Sequence, residues 1–140
     1  MARHILVGVD GSAQGDKAFD FALTLARAPD SRLTVCAVIY GAEIEMAEAS
    51  ERELLVKRRR EHLARHLEQL RLAGMSAAVE LRTRLLEGHP VEELLKLAEA
   101  EKADHIVVGH RSKGLFERLL MGSVAKRVVD FARCTVTVVR

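Results

Sequence analysis

Short apolar runs alternate along this chain with longer stretches of helical periodicity. Ile5-Leu-Val-Gly-Val9 is apolar, brief and stopped by Asp10-Gly11-Ser12, which predicts a buried strand followed by a turn. Ala18, Ala22, Leu25 and Ala26 then recur at helical spacing with Phe21 beside them, until Pro29-Asp30-Ser31 ends the helix. Leu33 to Ile39 predicts a second strand, and Gly41 to Ser50, the least patterned stretch, a mobile loop. From about Glu51 to Ala73 a long helix carries Leu63, Leu67 and Leu70 as its stripe, with Gly74 placed as its stop. Ala77 to Leu85 alternates through Val79, Leu81 and Thr83 as a third strand. Gly88-His89-Pro90 opens a helix whose inner face is Val91, Leu94, Leu95 and Ala98. His105 to Val108 is a fourth strand that runs into Gly109, and a loop follows to about Met121. A last helix starts near Gly122-Ser123 with Val124, Val128 and Phe131 inward, and Thr135 to Val139 is a fifth strand. This strict alternation argues for right-handed crossovers and a parallel sheet with helices on both faces.

Composition narrows the class without naming a function. A chain of 140 residues is one ordinary domain and needs no disulfide or metal to stay folded. Hydrophobic residues make up 49% and charged residues 30%, a globular profile, and a formal charge of +2 gives no argument for nucleic acid or membrane. Cys36 and Cys134 sit in apolar runs without metal-type spacing and read as reduced core residues. The first apolar run is too short for a signal peptide, and no run approaches the roughly 20 apolar residues of a membrane span. A cytoplasmic protein is the expectation, as one domain over residues 1–140 with neither nucleic acid nor membrane as partner.

Ligands in open parallel sheets sit beyond the carboxyl ends of the strands, where the strand order reverses. Two of those ends are unusual here. The first strand ends in Asp10-Gly11-Ser12; the fourth ends in Gly109-His110-Arg111-Ser112, with Gly122-Ser123 at a helix start thirteen residues after Gly109. Glycine permits close backbone approach, and a helix start supplies unpaired N–H groups and a positive dipole end. Arg111 adds a permanent charge, Ser123 a hydroxyl, and Asp10 an acceptor for a ribose hydroxyl. Singly, each has a structural reading as a turn or a cap. Together they favour a nucleotide cradle.

These residues resemble the universal stress protein family. ATP-binding members of that family carry G-x2-G-x9-G-[ST] after the fourth strand; this chain has Gly109-His110-Arg111-Ser112, nine residues, then Gly122-Ser123-Val124. Ile5 to Ser12, Ala103 to Gly109 and Ala132 to Arg140 are similar to the family's first strand and turn, fourth strand and last strand. The resemblance implies a Rossmann-like three-layer sandwich of the adenine nucleotide alpha hydrolase type, with strand order 3-2-1-4-5. It implies ATP as ligand, with or without Mg2+, and a homodimer through the C-terminal strand. By the same analogy Asp10 contacts ribose or adenine and Val38 lines the adenine slot. Gly109, Arg111, Ser112, Gly122 and Ser123 surround ribose and phosphates, with Val124 behind them. Ser112 departs from the pattern, standing where a glycine is expected and bringing a Cβ that disfavours positive φ.

Other readings have less support. A slow ATP hydrolase stays open, but the chain lacks a Walker A lysine motif and no acid and base pair can be placed at the strand ends. A dimeric stress protein without nucleotide is the reading that Ser112 keeps open. A phospho-acceptor domain wants more acids than Asp10 at the first strand. Lys57-Arg58-Arg59-Arg60, flanked by Glu51, Glu53 and Glu61, reads as a solvated helix face, and His62 and His66 as surface residues. His110 falls inside the candidate site.

Overall fold

The computed structural model describes residues 3–110 and 122–140. In chain order the elements are β1 (Arg3–Val9), α1 (Ala13–Ala26), β2 (Ser31–Ile39), α2 (Ala42–Met46), α3 (Ala49–Ser76), β3 (Leu81–Glu87), α4 (Pro90–Ala100), β4 (His105–Gly109), α5 (Ser123–Phe131) and β5 (Thr135–Val139). All four strand pairings are parallel and the sheet order is β3-β2-β1-β4-β5. This is the expected three-layer fold. The order reverses between β1 and β4, which run side by side from Ile5 opposite His105.

Period-two alternation in buried strands divides the core in two. Ile5, Val7, Val35 and Val107 point to the layer formed by α1 and α3, where they meet Phe19, Ala22, Leu63 and Leu67. Leu6, Cys36, Ile106 and Val108 point to the opposite layer and pack on Val91 and Leu94 of α4 and Val128 of α5. Central strands covered on both faces need apolar residues at every position, which explains the unbroken run at Ile5–Val9.

Several local expectations shift. Phe19 is the buried aromatic of α1, while Phe21 is 39% exposed. The Ser12 cap sets the helix phase so that Ala18, Phe19, Ala22 and Leu23 face the sheet. Phe131 is likewise exposed, because it ends α5, and the helix buries Ala125 and Val128 with Val124 half-buried. Gly74 lies inside α3 rather than after it: a Cβ there would sit 2.5 Å from Leu81 Cδ2. The turn is made instead at Ala78, at φ 60°, so β3 begins at Leu81 and Val79 becomes a buried turn residue. Within the expected loop at 41–50, Gly41 O accepts from Ile44 N and Glu45 N at 3.0 and 3.1 Å, closing the short helix α2.

Candidate functional site

At the carboxyl end of the sheet a cleft of about 520 Å³ opens over β2, β1 and β4. Its apolar floor includes Cys36 and Val38 of β2 and Val108 of β4, with Leu94 and Pro90 of α4 beside them. Asp10, Gly109, Gly122, Ser123 and Val124 also line it. Six of the eight residues singled out in the sequence therefore meet in one cavity. The other two, Arg111 and Ser112, lie outside the described residues.

The Asp10 carboxylate is half used. Its Oδ1 accepts from Ser12 N at 2.9 Å and from the Ser12 hydroxyl. Ser12 Oγ in turn accepts from Gly15 N at 3.2 Å and caps α1. Gly11, between them at φ 85°, takes the left-handed conformation that lets the turn close this tightly. Among the described residues every hydrogen bond to Asp10 falls on Oδ1, so Oδ2 has no partner among them, and Asp10 lines the cleft.

Gly109 has a packing reason for being glycine in addition to its place at the cleft. A Cβ there would lie 2.9 Å from Gln14 O and 3.1 Å from Gln14 C, so the first turn of α1 packs directly on the end of β4. Beyond it, His110 N donates to Val139 O at 2.6 Å, and His110 O accepts from Gly122 N at 2.7 Å. His110 is buried, and its backbone ties the exit of β4 to both β5 and the start of α5. The cleft lining does not include it.

The start of α5 is open. Gly122 caps it without a side-chain hydrogen bond, and the first intrahelical bond is Lys126 N to Gly122 O at 3.0 Å. No acidic residue occupies its first turn, whereas α1 to α4 each carry one or two acids there. Among the described residues, no side chain compensates the N–H groups of the first turn or the positive end of the helix dipole. Burial, the largest influence, pushes the Cys36 thiol up to about 12, so it serves as apolar floor and not as a nucleophile. Among the described residues no three His, Cys, Asp or Glu side chains form a metal-binding group, and no helix is long and apolar enough to cross a membrane.

Among the lining residues that the sequence did not single out, Tyr40, Glu43 and Arg59 carry polar groups to the cleft. Arg59 belongs to the basic run read as a solvated face. Arg60 fits that reading, pairing with Glu87 at 2.9 Å, but Arg59 turns inward and donates to Tyr40 O at 3.2 Å. The signal available was position: Arg59 precedes Leu63 by four residues, and so shares the buried stripe of α3. His66 is also more than a surface residue, since its Nε2 lies 3.0 Å from Asp16 Oδ1 and links α3 to α1.

A five-stranded parallel sheet in the order 3-2-1-4-5, with helices on both faces and a cleft at the switch point, defines the class as a Rossmann-like α/β domain. The family model of the Universal stress protein family matches residues 1–140, and the chain belongs to that family. It is 36% identical to a universal stress protein of Thermus aquaticus over 141 aligned positions, covering 100% of each chain. Universal stress protein UspA from Lactobacillus plantarum superposes with a TM-score of 0.86 at 26% identity, covering 99% of this chain and 97% of that one. A universal stress protein in complex with cAMP superposes with a TM-score of 0.75 at 25% identity, covering 99% and 97%.

Proposed function

We propose that this protein binds an adenine nucleotide, ATP, in the cleft at the switch point and acts as a regulatory protein of the stress response. The observation that carries the reading is the pairing, across one apolar cleft, of an Asp10 oxygen with no partner among the described residues and an acid-free start of α5 with no side-chain cap among them. The adenine ring would lie on the floor formed by Val38, Cys36 and Val108. Asp10 Oδ2 would accept from a ribose hydroxyl. The phosphates would take the N–H groups of Ser123 and Val124 and the Ser123 hydroxyl, where Gly122 keeps the backbone accessible. Arg111 and Ser112 are assigned to the same phosphates from the motif. Mg2+ would come with the nucleotide rather than from a protein site. The likeness to a relative that binds cAMP supports an adenine ligand.

The protein works in the cytoplasm as a homodimer joined through β5. That strand is an outer edge of the sheet, and its sequence Thr-Val-Thr-Val-Val has no charge or proline to discourage pairing. Light scattering at micromolar protein should give twice the chain mass; a concentration-independent monomer mass contradicts the dimer. The nucleotide reading is tested by denaturing the purified protein and separating what it releases. Adenine nucleotide in the supernatant is the expected result.

A further inference from the structure

We propose that the segment from Tyr40 to Glu48 is a lid over the β2 side of the cleft, stapled to α3 by Arg52 and Arg59, and that these staples set the rate at which the ligand leaves. The inference rests on the nucleotide reading above for the identity of that ligand.

The segment has little else to hold it. α2 has only five residues, far below the length at which a helix is stable alone, and no side chain caps its start. Met46 is 86% exposed, and Ile44 is the residue of α2 that packs on the core. The fixing contacts come from outside. Arg52 Nε donates to Ile44 O at 3.2 Å, and its NH2 group donates to Glu45 O at 3.1 Å. Both are carbonyls at the end of α2; Ile44 O accepts a further bond from Ala47 N at 3.4 Å, so for Glu45 O the guanidinium supplies what the helix end leaves open. Arg59 NH2 donates to Tyr40 O at 3.2 Å, at the other end of the segment, and lies 4.0 Å from Glu43 Oε1. Arg52 and Arg59 are seven residues apart, about two turns, and so project from one side of α3. Between the staples, the Glu43 carboxylate folds back over Gly41, where a Cβ would meet both its oxygens at 2.9 Å. Tyr40, Gly41 and Glu43 are cleft-lining residues, so movement of the segment changes the size of the mouth. Few buried apolar contacts and a few side-chain hydrogen bonds describe an element that opens well below the global unfolding free energy.

Arg59 lines the cleft and could act on the ligand directly, but Arg52 does not line it and acts only through α2. Arg52 is therefore a positioning residue and the cleaner test. The chain has one tyrosine, Tyr40, and no tryptophan, so its intrinsic fluorescence reports from the hinge of the lid. Tyr40 rests on His89 with ring centroids 5.2 Å apart.

The experiment compares wild type with Arg52→Ala, Arg52→Lys and, as a control on the same helix, Arg60→Ala. Acrylamide quenching of Tyr40 is measured without nucleotide, and the dissociation rate of a fluorescent ATP analogue by stopped flow. In Arg52→Ala, quenching should increase and the off-rate rise about five- to ten-fold, the effect of losing one or two hydrogen bonds to a charged donor. The melting temperature should stay within a few degrees. Arg52→Lys should fall between, since an ammonium cannot bridge two carbonyls as a guanidinium does. Arg60→Ala should match wild type. Unchanged quenching and off-rate in Arg52→Ala overturn the lid, as does an equal response in Arg60→Ala. A wild type that does not bind the analogue, while Arg52→Ala still increases quenching, overturns the nucleotide reading and upholds the stapled segment.

Discussion

The two ends of the sheet hold similar kinds of polar residue and use them in opposite ways. At the amino end, His4 N donates to Asp104 Oδ2 at 2.7 Å, and His4 Nδ1 faces Glu101 O at 3.0 Å. His4 Nε2 lies 2.9 Å from Thr34 Oγ1, and Thr34 Oγ1 donates to Glu101 Oε1 at 2.9 Å. Arg84 NH1 approaches Glu101 Oε2 at 3.7 Å. A hydroxyl, an imidazole and a carboxylate in mutual contact have the composition of a catalytic site, but Thr34 is 1% exposed and His4 6%. Thr34 and His4 are matched within the protein and closed off from solvent. At the carboxyl end, among the described residues, Asp10 keeps an oxygen unmatched and α5 begins without a side-chain cap or an acid in its first turn. The difference teaches that polar residue type does not mark a site; polar capacity left unspent at an accessible cleft does.

That contrast can be broken by mutation, and the largest effect should come at the cleft. Gly122→Val places a β-branched side chain where phosphate oxygens must approach backbone N–H groups, and should abolish ATP binding. The fold should lose only about 1–2 kcal/mol, since helix starts tolerate most residues. Calorimetric titration and thermal melting of the same sample check both halves. At the amino end the pattern should invert. Glu101→Ala removes the acceptor of the Thr34 hydroxyl and the carboxylate 3.2 Å from His4 Nε2, and should cost about 1–3 kcal/mol of stability. It should leave ATP affinity unchanged. A Glu101→Ala protein that melts normally but binds poorly would reverse the assignment of the two ends.

Asp10→Ala is intermediate. It removes the ribose acceptor and should weaken ATP binding about tenfold or more, with the stability loss limited to the hydrogen bonds to Ser12, about 1 kcal/mol. A collapsed melt with unchanged affinity would make Asp10 a turn residue only. The smallest effect concerns pH. Burial, and to a lesser degree Arg3, hold His105 below its ordinary value of 6.5, while its Nε2 rests 2.6 Å from Thr137 Oγ1. A lowered folded-state value means the unfolded chain binds the proton more readily. His105 therefore contributes no penalty well above pH 6.5 and progressively destabilises the fold as pH falls below it. His105→Gln should flatten the melting temperature between pH 7 and 5 relative to wild type, while ATP affinity at pH 7 stays level.

Element order, parallel sheet and the place of the cleft were legible because they depend on local pattern. Ile5–Val9 reads as a buried strand wherever it sits, and Asp10-Gly11-Ser12 reads as a turn. What escaped the sequence depended on tertiary partners. Phe19 and Phe21 are two residues apart on a helix with small residues on both sides, and only contact with the sheet decides which is buried. Arg59 looks like its basic neighbours until Tyr40 O is brought beside it. α2 is only five residues long, too short to announce itself by periodicity, and its end is held by Arg52 from the next helix. Gly109 lines the cleft, and its backbone is also packed against Gln14, a contact between strand and helix that no motif spacing encodes.

The central claim is that the unspent groups at the carboxyl end belong to an adenine nucleotide. It is tested most directly by titrating the purified, nucleotide-free protein with Mg-ATP in a calorimeter. Saturable binding of one ATP per chain, lost in Gly122→Val and retained in Glu101→Ala, is the predicted result. No binding by the wild-type protein at millimolar Mg-ATP would contradict it.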